Sequence, residues 1–454
     1  MEWTRYGSLI ATMLYVMAVS IVLSGRDPEV PVTIMNSLEI RPLVTLTRTI
    51  PPAAKDGSRG EMDGVATMVR DAMDQMAYKP LATSSDRLRG ATAAIVLGAR
   101  HLVPVFVGPI ASTEPAALAL VNWAFDPAYP ATDADIQAIR AAGLPAPLAD
   151  AAVTALAGDA GRTADAEKAR DAWTSASKDA SAQASIQFTL FLGALVLGSI
   201  LWFRMRRLQL ASLAVPLPKP TLESLLPAIR VMVYFMAAFL TIGVLAPGVL
   251  QGLEIPGGVA GMAFTMYVLN GLIGIGLVLT VGRSNPGESP SDLLGLHTLR
   301  PAAVPTGAVW GIAGWCMLLP SVLSASILSA VLLGMGGNPF DNPVALLMVL
   351  DSDPDILALL LFAIAILAPL FEELFFRGFL HARLRHHFSP YGAAMISGLC
   401  FAATHMSLSN LLPLWAVGFA LAILYDRTRT LWAPMVAHSL WNLGTAAVLL
   451  WFFR

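Results

Sequence analysis

Charged residues are scarce in this chain. Asp, Glu, Lys and Arg make up 13% of its 454 residues, whereas hydrophobic residues make up 56% and the mean hydropathy is +0.65. This composition excludes an ordinary water-soluble protein and predicts that most of the chain lies in lipid. The few charges are nearly balanced, with 29 Lys and Arg against 31 Asp and Glu, so no basic surface for nucleic acid is indicated.

Cysteine is almost absent. Cys316 and Cys400 both fall in apolar runs, so the polar regions have neither a disulfide nor a CxxC metal site. The zinc-binding motif HExxH is also missing. The cysteines therefore give no indication of the redox compartment.

Composition divides the chain into four segments: 1–25, 26–187, 188–289 and 290–454. The first has the apolar run SLIATMLYVMAVSIVLSG, typical of a signal peptide or an uncleaved anchor. We favour a transmembrane anchor, because no small-x-small site is followed by an obvious mature start. The composition of 188–289 predicts transmembrane helices and a cytoplasmic linker rich in Pro, Gly and Ser. The composition of 290–454 predicts the remaining membrane helices.

The second segment, 26–187, is polar and rich in alanine, which predicts a water-facing domain. Its early part, VPVTIMNSLEIRPLVTLTRTI, alternates as strands do, and its end, DAGRTADAEKARDAWTSASKDASAQAS, is typical of a polar helix. Between them, ATAAIVLGARHLVPVFVGPIA is apolar but carries Arg100 and His101 at its centre. A membrane span with that pair at mid-depth would be costly, so we expect these residues in the domain core. The segment is thus predicted to be α+β.

Long apolar runs predict an all-α polytopic membrane protein, a bundle of about eight to nine transmembrane helices. After the N-terminal run, the expected spans are 188–203, 228–250, 258–281, 304–334, 355–375, 391–407, 411–425 and 431–451. The basic clusters FRMRRL, HARLRHH and DRTRT lie on one side if the N-terminus is cytoplasmic. With that orientation, residues 26–187 are expected to be extracytoplasmic, where they could recruit a partner. The expected location of the protein is the inner membrane of a bacterium.

Charged side chains within apolar runs are expensive and indicate function. In FEELFFRGFL, Glu373 and Arg377 are four residues apart, so they share a helix face and can form an ion pair. Glu372 is about 140° around the helix from Arg377 and must point elsewhere. We interpret the Glu373–Arg377 ion pair as a structural element that orients a site. Glu372 has no such partner in the sequence pattern, so its burial is not explained by this pair.

Two histidines fall in late apolar runs. His405 lies in FAATHMSL, and His438 lies in APMVAHSLWNLG, where it shares a helix face with Asn442. Each has a simpler interpretation, because a lone histidine often only packs and His438 with Asn442 could join helices by hydrogen bonds. The coincidence of these groups with Glu372 in one short region favours a site.

These residue types suit the activation of water. A carboxylate in a low-dielectric site can act as general base toward water, and imidazole or amide groups can hold the water or stabilise an oxyanion. Glu372, His405 and His438 could instead ligate zinc with a position open for water. The sequence does not separate these two forms of amide hydrolysis.

The ordered pattern EExxxR, FxxxH and HxxxN resembles the CAAX prenyl protease and bacteriocin-processing (CPBP, or Abi) family of intramembrane proteases. Glu372, Glu373 and Arg377 supply the first motif, Phe401 and His405 the second, and His438 and Asn442 the third. The resemblance covers roughly 290–454. It implies that Glu372 is the base, aided by His405, that His438 and Asn442 stabilise the oxyanion or contact a metal, and that Glu373 and Arg377 position the site.

The resemblance implies an intramembrane endopeptidase acting on a membrane-associated protein or peptide, with a prenylated CAAX-like substrate as one option and zinc as an optional cofactor. Two other functions are open. Buried Glu and His could form the relay of a proton-coupled transporter, although no inverted repeats are visible. A non-catalytic scaffold or bacteriocin-immunity-type protein would instead bind through 26–187.

Overall fold

The computed structural model describes residues 32–53, 63–81, 83–126, 128–207, 221–251, 258–284, 287–333, 343–350 and 353–453. Contacts separate them into two compact units, formed by the described residues of Pro28–Phe191 with Trp451–Arg454 and of Leu192–Leu450. We call the first the N-terminal unit and the second the membrane unit. The anchor predicted at 1–25 lies outside the described residues.

The N-terminal unit is helical throughout its described residues. Its helices are α1 (Val32–Thr47), α2 (Asp63–Met76), α3 (Ser84–Val96), α4 (Val103–Val107), α5 (Pro115–Phe125), α6 (Asp133–Ala141), α7 (Ala146–Asp159) and the start of α8 (Thr163–Arg207). The polar helix predicted before the membrane is confirmed as the first part of α8.

The prediction of strands in this unit is wrong, because the described part of the alternating segment is α1. The buried residues Ser37, Ile40, Val44 and Thr47 follow one another at intervals of three, four and three residues, which is the spacing of one helix face. The β-branched residues of this segment alternate with other residues, which suggested a strand with a side-chain period of two. The buried residues instead recur every three to four positions, as on one face of a helix. The α+β assignment is therefore corrected to all-α within the described residues.

The apolar stretch around Arg100 and His101 forms part of the core of this unit, as predicted. Most of its apolar residues from α3 and α4 are buried, whereas Arg100 and His101 fall on the short 3-10 turn Arg100–Leu102 between them. Arg100 bonds Asp159 at 2.8 Å and lies over the ring of Trp123 at 4.0 Å. The break between the two helices thus lets Arg100 and His101 point away from the core, while the apolar residues on either side pack inside it.

The membrane unit contains the end of α8 and the helices that follow it. They are α9 (Leu222–Gln251), α10 (Gly258–Val281), α11 (Pro290–Leu293), α12 (Val304–Leu333), α13 (Pro343–Leu350), α14 (Pro354–Leu384), α15 (Pro390–Ala403), α16 (Leu411–Thr428) and α17 (Trp432–Phe453). Within α14, Ala363–Leu367 and Leu374–His381 are π-helical, so the helix is wider there than a regular α-helix.

Seven helices in the described part of the chain are long and apolar enough to cross a membrane: α8, α9, α10, α12, α14, α16 and α17. They correspond to seven of the predicted spans and make this an integral membrane protein. The span predicted at 391–407 is shorter than expected, because α15 has 14 residues. At about 1.5 Å per residue such a helix cannot cross a hydrocarbon layer of about 30 Å.

Helix α14 lies among the other helices of the membrane unit. Phe375 contacts Phe235 on α9 with ring centroids 4.8 Å apart, and Phe376 contacts Phe401 on α15 at 5.2 Å. Its middle section therefore faces protein on two sides. Polar groups there can be held by neighbouring helices rather than by lipid.

Helices α15 and α16 approach closely at two glycines. A Cβ added at Gly398 would lie 2.7 Å from the backbone nitrogen of Phe419, and one at Gly418 would lie 2.8 Å from the Cα of Gly398. Small residues at such crossings let membrane helices pack backbone to backbone. This crossing holds α16 next to the second π section of α14.

We expect Gly398→Ala to lower the free energy of unfolding by about 1–3 kcal/mol, because the added methyl group overpacks this crossing. The control is Gly276→Ala in α10, where a Cβ would have nothing within 4 Å. That change should be neutral or stabilise by up to about 1 kcal/mol through helix propensity. Unfolding of the purified protein in mixed detergent micelles measures both, and equal effects would contradict the close packing.

Candidate active site

The ion pair predicted from the spacing in α14 is present. Arg377 Nη1 donates to Glu373 Oε1 at 2.7 Å, and the side chains are 1% and 0% exposed. Arg377 Nη2 also donates to the backbone carbonyl of Gly418 on α16 at 3.0 Å. The guanidinium thus joins α14 to α16 while neutralising Glu373.

The carboxylate of Glu373 also holds His438 from α17. His438 Nδ1 lies 2.8 Å from Glu373 Oε1, the same oxygen that Arg377 contacts. Since a carboxylate only accepts hydrogen bonds, Nδ1 carries the proton, and a neutral imidazole then has its lone pair on Nε2. Glu373 therefore fixes both the orientation and the tautomer of His438.

Glu372 contacts Tyr267 and faces His438 instead of pairing with Arg377, and its two oxygens differ. Oε1 accepts a hydrogen bond from the Tyr267 hydroxyl at 2.7 Å. Oε2 is buried without a hydrogen-bond partner and lies 3.9 Å from His438 Nε2. The side chain is 22% exposed, so it combines one fixed oxygen with one that faces the imidazole.

Phe401 is a buried part of this site. Its ring, on a residue that is 1% exposed, lies 4.9 Å from the Arg377 guanidinium carbon. The same ring is 4.8 Å from the ring of His405 and 5.8 Å from that of His438. The structure thus places Phe401 in the core as the contact shared by these three side chains.

His405 lies in the turn that follows α15 rather than within the helix. Its Nδ1 contacts the carbonyl of Phe401 at 2.9 Å, so Nδ1 carries the proton here too. Within the described part of the chain, no hydrogen bond joins His405 to Glu372 or His438. Its ring packs against Phe401, which also contacts His438.

Asn442 bonds a backbone group of α14. Its Nδ2 donates to the carbonyl of Ile364 at 2.7 Å, within the π section Ala363–Leu367. This contact matches the joining of helices that the sequence left open as an alternative. The amide reaches α14 about two turns before the glutamates.

Tyr267 is the site residue that the sequence analysis missed. It lies on α10, in the segment 188–289, for which the sequence predicts only transmembrane helices and a linker. The available signal was a tyrosine hydroxyl inside an apolar helix, since such a group needs a hydrogen-bond partner. The sequence could not identify Glu372 as that partner.

The residues do not form the zinc site considered above. Among the described residues, no three His, Cys, Asp or Glu side chains are placed to hold a metal ion together. His438 and His405 use Nδ1 for hydrogen bonds to Glu373 and to a carbonyl, and each keeps Nε2. The three side chains are thus not brought together as a zinc site in the described structure, and we derive no step through the metal.

Comparison with known proteins agrees with the motif analysis. Residues 354–444, which contain all three motifs, match the model of the family "Type II CAAX prenyl endopeptidase Rce1-like". The resemblance to the CAAX prenyl protease family is thus confirmed for this region of α14 to α17.

A curated relative matches a longer stretch. The "Putative membrane peptidase YdiL" of Bacillus subtilis (strain 168) is 31% identical over 170 residues, which is 37% of this chain and 64% of the relative. The chain therefore spans somewhat less than two thirds of that protein. No solved structure matches the chain.

Arg377→Met should destabilise the membrane unit by about 3–5 kcal/mol, because it leaves the buried charge of Glu373 without its guanidinium partner. Adding Glu373→Gln should recover part of that loss. The free energy of unfolding is measured in mixed micelles for the wild type, the two single variants and the double variant. The difference between the double variant and the sum of the single variants gives the coupling between Arg377 and Glu373.

The control is Arg140→Met in the N-terminal unit. Arg140 is 49% exposed and pairs with Asp150 at 3.1 Å, so its loss should cost about 1 kcal/mol or less. Additive effects of Arg377→Met and Glu373→Gln would contradict the coupled buried pair.

Proposed function

We propose that the membrane unit is an intramembrane endopeptidase that hydrolyses a peptide bond of a membrane-associated protein or peptide. The Rce1-like match over 354–444 and the peptidase name of the relative both support a membrane protease. The proposed water-activating group is the carboxylate of Glu372.

The observation that carries the proposal is the arrangement of Glu372 Oε2 and His438 Nε2. The oxygen is buried without a hydrogen-bond partner, and the two atoms are 3.9 Å apart. A water about 2.8 Å from each atom could donate one proton toward each of them. Neither atom is occupied by a protein donor, so both are suited to hold that water.

Hydrolysis would proceed by general base catalysis. Glu372 takes a proton from the water, and the water oxygen adds to the peptide carbonyl carbon. The protonated carboxyl group then gives its proton to the departing amine nitrogen as the C–N bond breaks. His438 orients the water, while Glu373 and Arg377 keep His438 in place.

His405 and Asn442 have supporting roles in this proposal. With its Nδ1 proton held by the Phe401 carbonyl, His405 retains Nε2 for the water or the substrate. Asn442 has one N–H on Ile364 and a second that remains for the developing oxyanion. The first bond also steadies α14 near the glutamates.

The proposed substrate enters from the membrane. A prenylated CAAX-like chain end is one such substrate, as the family description names, and an unmodified membrane-bound peptide is another. With the basic clusters on the cytoplasmic side, the site would open toward the cytoplasm of a bacterial inner membrane and 26–187 would lie outside. That segment would then be free to bind an extracytoplasmic partner.

We expect Glu372→Gln to lower cleavage at least about 100-fold, because the neutral amide cannot accept the proton from water. The assay is quantitative mapping of protein termini in membranes from cells that carry either form at matched abundance. Termini that disappear in the variant identify the substrate. The melting temperature should change little.

The matched control is Asp355→Asn, an exposed carboxylate at the start of the same helix, which should leave the termini unchanged. Identical termini in wild type and Glu372→Gln would reject proteolysis. Loss of function only on deletion of 26–187 would then favour the scaffold.

A further inference from the structure

Tyr267 lies outside the stretch that matches the protease family. It is on α10, whereas the family match begins at residue 354 in α14. Its hydroxyl nevertheless makes the hydrogen bond that holds Glu372, at 2.7 Å from Oε1. A helix that carries none of the three motifs thus contacts the carboxylate to which we assign the chemistry.

The reach of this hydroxyl depends on a close approach of α10 to α14. A Cβ added at Gly271 would lie 2.4 Å from a ring carbon of Phe371, the residue just before Glu372. Gly271 follows Tyr267 by four residues, one helical turn on the same face. The glycine therefore lets the two helices approach where the phenol must reach the glutamate.

The hydrogen bond makes the two oxygens of Glu372 unequal. With Oε1 held by the phenol, rotation of the carboxylate is restricted and Oε2 faces His438 Nε2. Without that donor both oxygens could turn toward other groups. The water proposed above would then lose its fixed position between the carboxylate and the imidazole.

We infer that Tyr267 is a positioning residue of the active site, which orients the carboxylate of Glu372, and that α10 is a required part of the catalytic unit. This inference rests on the proposed function of Glu372. Hydrogen bonds to charged groups are strong enough that losing one from a catalytic base lowers the rate by about 10- to 100-fold.

The first measurement is the steady-state kinetics of the full-length protein in nanodiscs. The probe is a quenched fluorescent peptide with a cleavage sequence found by the mapping of termini. Tyr267→Phe should lower kcat about 10- to 100-fold and change KM less than about twofold, because the phenol acts on the base and not on the substrate. The control Tyr391→Phe, an exposed tyrosine on α15, should leave both constants unchanged.

The second measurement needs no activity. Tyr267→Phe should lower the melting temperature in the wild-type background, because it leaves Oε1 of Glu372 without a donor, and should lower it less in the Glu372→Ala background. Tyr391→Phe should have the same effect in both backgrounds. This comparison tests the contact itself.

The outcomes separate the two proposals. If wild type cleaves the peptide and Tyr267→Phe retains its kcat, the positioning role is wrong and the protease function stands, even where the melting temperatures show coupling. If wild type cleaves nothing and the termini do not depend on Glu372, the proposed function fails and the positioning role falls with it. A lowered kcat at unchanged KM, with coupled melting temperatures, supports both.

Discussion

The helix packing of the membrane unit depends on the contacts of the buried Glu373 carboxylate. One oxygen receives Arg377 from its own helix and His438 from α17, at 2.7 and 2.8 Å. The same guanidinium bonds a carbonyl of α16 and lies against the ring of Phe401 on α15. Charges in an apolar interior are tolerated only when paired and hydrogen bonded, so this carboxylate fixes the relative positions of four helices.

Two adjacent glutamates therefore have different environments. Glu373 is completely buried and paired with Arg377, whereas Glu372 is 22% exposed. Each has one oxygen without a hydrogen-bond partner, and that of Glu372 lies 3.9 Å from His438 Nε2. Neighbouring residues on a helix point about 100° apart, so one can bind the protein framework while the other faces a cavity or a substrate. Arg377 and His438 offset the free-energy cost of burying Glu373. In turn, Glu373 holds the His438 imidazole in a fixed orientation beside Glu372.

The π sections of α14 lie where polar contacts are made. Asn442 bonds a carbonyl in the first, and Arg377 lies in the second. A π section widens the helix and alters which backbone groups are available, and such sections are frequent at functional sites. Both π sections of α14 thus lie where neighbouring helices supply polar contacts, as a bilayer environment requires of irregular backbone.

The sequence by itself determined the membrane character, seven of the spans, the three motifs and the Glu373–Arg377 pair, because each depends on composition or on residues within about one helical turn. It did not determine that α1 is a helix, since β-branched residues obscured the spacing of its buried face. Nor could it show that His438 bonds Glu373 and Tyr267 bonds Glu372, since these partners are 65 and 105 residues apart. Only helix packing brings such residues together, and packing decided which glutamate became structural and which was left with an oxygen facing His438.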